Sequence, residues 1–168
     1  WATHGLPSDA NAHPHLDESG RLAIVHNGII ENYAQLRHKL GERGHHFHSQ
    51  TDTEVLSHLI GHHLGKLVSR GKHVTADLLT RAVQEATQEA EGTYAIAVLH
   101  TDLPDLMIGA RRGSPLVVGV GKGEQFLASD VSPIVAHTRK VVYLHDGDVV
   151  CLGRDRLQLF AKGKPIKR

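Results

Sequence analysis

The hydrophobic pattern changes period once along this chain, and this change constrains the fold more than any other feature. Up to about Gly92, apolar residues recur three or four positions apart, which is the spacing of amphipathic helices. From Thr93 onward, apolar and polar residues alternate at a period of two between short turn sequences, as in half-buried strands. The sequence therefore predicts an α+β protein in which helices of the first half pack on an antiparallel sheet of the second half.

The individual elements follow from the same patterns. Helices are predicted over 31–43, from about 52 onward, and from the Thr75 cap to Gly92. A strand over 21–26 is expected to end at Asn27-Gly28, a dipeptide typical of tight turns. Residues 1–20 read as an irregular loop, and the basic tail 162–168 is the one candidate for a linker. Further strands are predicted at 46–49, 93–100, 106–111, 116–120, 125–129, 141–144, 149–152 and 157–160.

Composition limits the classes of protein to consider. The 168 residues are 40% hydrophobic and 22% charged, which is typical of one globular domain. The net charge of +1 gives no reason to expect a nucleic acid or an anionic membrane as partner, and no apolar run is long enough to span a bilayer. Cys151 is the only cysteine, which excludes an internal disulfide and suits a cytoplasmic location.

Histidine is unusually frequent, with 15 residues in the chain, and many stand in short clusters. The spacings match no zinc motif, because His-Glu-x-x-His is absent and Cys151 has no second cysteine. The sequence therefore predicts no metal site and no cofactor, and it favours solvated histidines on helices and loops.

Three positions are candidates for chemistry. Asn27-Gly28 reads either as a turn or as two donors, the Asn27 amide and the Gly28 N–H, that could stabilise an oxyanion. Asp52 reads either as a helix cap or as the counter-charge of a ligand's ammonium group. Thr3 and His4 could donate hydrogen bonds to a carboxylate.

Cys151 and Ser114 are weaker candidates for a nucleophile. Cys151 lies in an apolar strand sequence and is interpreted as a small packing residue, because a reactive cysteine needs an accessible, electropositive setting. Ser114 lacks the Gly-x-Ser-x-Gly pattern and is interpreted as structural.

Six motifs in order make a specific combination. They are Trp1-Ala2-Thr3-His4-Gly5, Asn11-Ala12-His13-Pro14-His15, His26-Asn27-Gly28-Ile29-Ile30-Glu31-Asn32, Thr51-Asp52-Thr53-Glu54, Gly113-Ser114-Pro115-Leu116 and Ala128-Ser129-Asp130. Across essentially the whole chain, this series resembles the glutaminase domain of the glutamine–fructose-6-phosphate aminotransferases (isomerising).

The resemblance implies a fold, a reaction and residue roles. The fold would be the four-layer α-β-β-α sandwich of N-terminal-nucleophile hydrolases, incomplete at the N-terminus, with 1–168 as part of one domain. An N-terminal cysteine would attack the glutamine amide, with its own α-amine as base. Asn27 and Gly28 would form the oxyanion hole, and Gly28 and Asp52 would hold the α-amino group. Thr3 and His4 would contact the α-carboxylate, and Trp1 would gate an ammonia channel.

The chain also departs from this family. The nucleophilic cysteine is absent, as are the arginine that precedes the tryptophan in the family and the sugar-isomerase domain. The chain alone is therefore expected to lack glutaminase activity. The apolar faces and open edges of an incomplete sandwich predict a companion N-terminal peptide, self-association or rearrangement. In the full-length enzyme the resemblance implies L-glutamine and fructose 6-phosphate as substrates, the sugar-isomerase domain as partner, and a homodimer.

Two alternatives stay open. One is the glutaminase domain of an amidophosphoribosyltransferase, which Ile29-Ile30-Glu31-Asn32 and Thr51-Asp52-Thr53-Glu54 disfavour. The other is a non-catalytic module that binds glutamine.

Overall fold

The computed structural model describes residues 4–68 and 73–167 and confirms the α+β class. Within these residues, no helix is both long and apolar enough to cross a membrane. The helices are a short 3₁₀ turn, Asp9–Asn11, and α1 (Tyr33–Gly41), α2 (Asp52–Leu67) and α3 (Ala76–Glu89). The strands are β1 (His15–Leu16), β2 (Leu22–Ile30), β3 (Gly92–His100), β4 (Met107–Arg112), β5 (Val117–Val120), β6 (Gln125–Ala128), β7 (Val141–Tyr143), β8 (Asp148–Leu152), β9 (Leu157–Ala161) and β10 (Lys164–Ile166).

The strands form two antiparallel sheets. The larger sheet has seven strands in the order β1-β2-β3-β4-β8-β9-β10, and the smaller has three in the order β6-β5-β7. Neighbours in space are mostly neighbours in sequence, because short turns join antiparallel strands. The exceptions are β7, which pairs with β5 in the small sheet, and β8, which returns from the small sheet to pair with β4.

Two hydrophobic cores separate three layers. The first core joins the helices to one face of the large sheet, with Leu56, Leu79 and Ile96 almost fully buried in it. The second lies between the two sheets and includes Val118 and Val150. The outer face of the small sheet is covered by the turns around Ile134, so the described residues give three layers of the predicted four.

The predicted turn at Asn27-Gly28 is wrong. Strand β2 runs through both residues, with Asn27 opposite Ala95 and Gly28 opposite Tyr94, and it ends only where Ile30 pairs with Gly92. Gly28 has φ +133°, a backbone conformation that favours glycine. The glycine is therefore needed for a local irregularity within the paired strand and not for a turn.

The predicted strand at 46–49 is also wrong, because a side chain takes its backbone donors. The Glu54 carboxylate accepts from the His48 N–H at 2.7 Å and from the Ser49 N–H and hydroxyl at 2.8 and 2.7 Å.

At the other end of the chain, the tail proposed as a linker forms β10, paired with β9 across a turn in which Lys162 and Gly163 have positive φ.

Glu54 provides a pH-dependent part of the stability. Although desolvation opposes it, the hydrogen bonds from His48 and Ser49 hold the pKa of Glu54 below its ordinary value of 4.5. A lowered carboxyl pKa stabilises the fold above the unfolded value, and this contribution is lost as the pH falls through the folded value.

We therefore expect Glu54→Gln to lower the free energy of unfolding by about 1–3 kcal/mol at pH 7. The NH₂ group of the glutamine amide would replace an oxygen that accepts hydrogen bonds from His48 and Ser49, so at least one donor would lose its acceptor. The difference from wild type should shrink as the pH falls below 4.5. Urea unfolding at pH 7 and pH 4 measures both effects, with exposed Glu124 as the matched Glu→Gln control. An equal destabilisation at both pH values would contradict this role.

Candidate active site

Asp52 is the first residue of α2, and it is almost fully buried, at 1% exposure. It is not the helix cap, because the Thr51 hydroxyl accepts from the Glu54 N–H and fills that position. Asp52 Oδ2 instead accepts from the Ile30 N–H at 2.8 Å. This bond joins the start of α2 to the end of β2, and the helix N-terminus favours the negative charge.

The other oxygen of Asp52 has no hydrogen-bond partner among the residues that the structure describes. His4 Nδ1 lies 3.3 Å from this Oδ1, without the geometry of a hydrogen bond, and is likewise buried and unsatisfied. The His4 ring packs on Tyr33, with the ring centroids 4.6 Å apart. Because an unpaired buried carboxylate oxygen is costly, this atom is the strongest sign of a ligand position in the chain.

An open edge of β2 lies beside Asp52. Strand β1 pairs with β2 only at Ala23 and Ile24, so the rest of this edge has no strand partner in the described part of the chain. Alternate N–H groups of a strand point to the same edge. The Gly28 N–H therefore shares the edge from which the Ile30 N–H reaches Asp52.

The backbone at Gly28 passes close to β3. A Cβ built at this position would lie 2.2 Å from the Thr93 carbonyl oxygen and 3.0 Å from Ser114 Oγ. Only glycine fits here without moving backbone atoms, so the residue type is set by a close approach as well as by φ.

Asn27 is placed differently from Asp52. Its side chain is exposed and shares the sheet face of its partner Ala95, which belongs to the core between the two sheets. The helices pack on the opposite face of β2, with Ile24 and Ile30. The structure thus brings Asp52, His4 and the Gly28 edge together and leaves the Asn27 amide open on the other face.

Sequence reasoning assigned no role to a group of polar residues around Thr53. His26 is buried, with Nδ1 at 3.1 Å from Thr53 Oγ1 and 4.0 Å from Asp52 Oδ2. His13 Nε2 approaches the same hydroxyl at 3.3 Å. Burial lowers the pKa of both imidazoles, which favours neutral rings. The available signal was adjacency, since His26 precedes Asn27 and Thr53 follows Asp52 in the motifs.

The remaining sequence candidates lie elsewhere. Trp1 and Thr3 fall outside the described residues. Cys151 is fully buried in β8, and burial raises the pKa of its thiol, so it fits the packing role rather than that of a nucleophile. The site as described therefore offers a carboxylate and polar hydrogens for binding, with no accessible thiol among its residues.

The sequence profile of the glutamine amidotransferase domain matches residues 4–136, which include Asp52 and the open edge of β2. The chain belongs to this family. It is 52% identical to a Streptomyces coelicolor glutamine–fructose-6-phosphate aminotransferase (isomerising) over 95% of the chain and 24% of that protein. The same enzyme of Thermus thermophilus is 50% identical over the whole chain and 26% of its own length. The chain thus spans about a quarter of the length of these relatives.

Solved structures give the same family. A B. subtilis glutamine phosphoribosylpyrophosphate amidotransferase matches with a TM-score of 0.65 and 25% identity, over 83% of this chain and 29% of that one. A structure described as the allosteric regulatory enzyme of purine biosynthesis matches with a TM-score of 0.69 and 26% identity, over 90% and 31% of the two chains. Both structures match at about half the sequence identity of the aminotransferases.

Proposed function

We propose that this chain is part of the glutamine-hydrolysing domain that supplies ammonia for the conversion of fructose 6-phosphate to glucosamine 6-phosphate. The observation that carries the proposal is the unpaired, buried Oδ1 of Asp52 beside an open strand edge. An amino acid's ammonium group is the right charge and size for that oxygen. The identity of about half to aminotransferases along the whole chain supports the same substrate.

The proposed roles are those that the resemblance to the aminotransferases implies, and the positions of Asp52, His4 and Gly28 support the roles of these three residues. Asp52, with Gly28, binds the α-ammonium group of L-glutamine, and His4 together with Thr3 contacts the α-carboxylate. The Gly28 N–H and the Asn27 amide stabilise the oxyanion of the tetrahedral intermediates. His26, hydrogen-bonded to Thr53, positions the strand and helix that carry these groups. Trp1 is proposed to separate the glutamine pocket from the ammonia channel.

The 168 residues by themselves are proposed to be inactive. Attack on the amide needs a thiolate, and Cys151 is buried with a raised pKa. The nucleophile is an N-terminal cysteine of the whole protein, held in the remainder of a four-layer N-terminal-nucleophile sandwich. The whole protein is further proposed to be cytoplasmic, to carry a sugar-isomerase domain and to form a homodimer.

Glutamate release and amino-sugar formation test the proposal in the natural-length protein. With glutamine and fructose 6-phosphate we expect glutamate and glucosamine 6-phosphate in equal amounts, and with phosphoribosyl pyrophosphate no product beyond glutamate. Amination of phosphoribosyl pyrophosphate alone would favour the second candidate, the amidophosphoribosyltransferase, which the solved structures support. Binding of glutamine without glutamate release would instead favour a non-catalytic module.

A further inference from the structure

Two histidines and one glutamate come together beside the middle of α2. The group joins the turn between β1 and β2, the loop after α1 and the middle of α2, through Glu18, His45 and His58. One ligand-type atom of each residue lies within 4.8 Å of the others. The three residues are far apart in sequence, which is why no spacing motif revealed them.

The distances within the group suit a shared ion. His45 Nδ1 and His58 Nδ1 are 3.1 Å apart, and Glu18 Oε2 is 3.6 Å from His58 Nδ1. Two nitrogens bound tetrahedrally to one zinc ion, each at about 2.0–2.1 Å, would be separated by roughly 3.3 Å. We propose that Glu18, His45 and His58 form a binding site for a divalent transition-metal ion, of which Zn²⁺ is the best match to two imidazoles and a carboxylate.

The surrounding residues hold the ligands in place. Asp17 Oδ1 accepts from the Arg21 and Leu22 N–H groups at 3.1 Å each, which fixes the turn that carries Glu18. The His46 N–H donates to Glu18 Oε2 at 2.7 Å. Such supporting bonds orient first ligands before the metal arrives.

The burial of the group is graded, as in a site with one open position. His58 is 2% exposed and stacks on Phe47, with ring centroids 4.6 Å apart, while His45 is half-buried and Glu18 is 41% exposed. Solvent therefore reaches the group from the Glu18 side, where a water molecule could complete four-coordination.

The protonation states also suit metal binding. Burial lowers the pKa of His45 and His58, and the hydrogen bond from His46 lowers the pKa of Glu18. The facing Nδ1 atoms of the free pair share one proton. When both atoms bind the ion, that proton moves to Nε2 of the same ring, so the change is one of tautomer with no net release.

Neighbouring His62 shows how a histidine is excluded from the site. Its Nε2 accepts from Arg43 at 2.9 Å, so that nitrogen is already occupied. The bound ion would link the β1–β2 turn, helix α2 and the loop between α1 and α2, which ends at Asp52. We therefore expect it to stabilise the fold, since it binds the folded state only.

Zinc retention tests the site in the natural-length protein, produced without a histidine tag and stripped with a chelator. After addition of Zn²⁺ and dialysis, wild type should keep one equivalent more than Glu18→Gln or His45→Gln. Competition with a chromophoric chelator should show an affinity lowered by more than about 10-fold in both variants, since loss of even an outer-shell partner costs about that much. His38→Gln is the matched control, because His38 is 79% exposed on the neighbouring helix α1.

Thermal unfolding provides the second measurement. Zn²⁺ should raise the unfolding temperature of wild type and of His38→Gln, and leave that of Glu18→Gln unchanged. Glu18 and His45 are partly exposed, so both variants should fold, which circular dichroism checks. Equal zinc content and equal affinity in wild type, Glu18→Gln, His45→Gln and His38→Gln would overturn the proposal, because the zinc would then be bound by other histidines. The absence of retained zinc in wild type would also overturn it.

Discussion

Replacing Asp52 with asparagine is expected to reduce kcat/KM for glutamine by about 30-fold to several thousand-fold in the natural-length protein. This range corresponds to about 2–5 kcal/mol, the cost of removing one partner of a buried charge pair. The side-chain carbonyl of the introduced asparagine would still accept from the Ile30 N–H, so the joint between α2 and β2 remains. What disappears is the negative charge at Oδ1, which has no hydrogen-bond partner among the described residues and is proposed to face the ammonium group.

The loss should appear mainly as a raised KM. The ammonium group is held in the ground state and in the transition state alike, and an interaction common to both contributes to binding rather than to the chemical step. Steady-state glutamate release over a range of glutamine concentrations separates the two parameters.

Asp77→Asn is the matched control for Asp52→Asn. Asp77 also stands in the first turn of a helix, α3, but its side chain is 85% exposed and, among the residues that the structure describes, pairs with Arg156 at 3.4 Å. We expect wild-type kinetics from this variant. If both Asp52→Asn and Asp77→Asn had the wild-type KM for glutamine, the assignment of Asp52 to the ammonium group would be wrong.

Replacing Gly28 with alanine is expected to lower the free energy of unfolding by about 3 kcal/mol or more. The added methyl would lie 2.2 Å from the Thr93 carbonyl oxygen, so β2 and β3 would have to separate. The position also has φ +133°, a conformation that side chains rarely adopt. The two penalties act on the β2–β3 pair, whose apolar side chains contribute to the first core.

Urea unfolding measures the effect of Gly28→Ala, and Gly65→Ala is its control. Gly65 lies inside α2 with no atom near its added Cβ, so alanine there should raise stability by up to about 1 kcal/mol. A lower free energy of unfolding for Gly28→Ala and a higher one for Gly65→Ala would show that the loss at Gly28 comes from steric conflict and not from the general effect of a Gly→Ala change on backbone entropy. A Gly28→Ala protein with the wild-type midpoint would show that β2 and β3 can adjust without cost.

Much of the fold could be read from periodicity. Helix α2 was predicted from about 52 and begins at Asp52, and the strand predicted at 93–100 runs from Gly92 to His100. These segments carry their apolar residues at one clear period, so burial of one face selects the same structure that the pattern indicates. The α+β class follows from the same signal.

Local signals failed where a distant group competed for the backbone. Asn27-Gly28 has the composition of a turn, but Ala95 and Tyr94 of β3 pair with it and keep β2 extended. Residues 46–49 have strand-like composition, but the Glu54 carboxylate binds the N–H groups that a neighbouring strand would need. In both cases the deciding partner is either far along the chain or a side chain rather than a strand.

The sequence by itself determined the family, through six ordered motifs, and the class of fold, through the change of hydrophobic period. Only the tertiary structure decided where those residues lie and what they contact. In sequence Asp52 reads either as a cap or as a counter-charge for a ligand. In the fold it is a buried carboxylate with a hydrogen bond to one oxygen only, because Thr51 caps α2 and the Ile30 N–H reaches Oδ2. Glu18, His45 and His58 share no motif, and they meet because α2 packs against both the β1–β2 turn and the loop after α1. Periodicity reports which face of a segment is buried, whereas convergence of polar atoms depends on how segments pack.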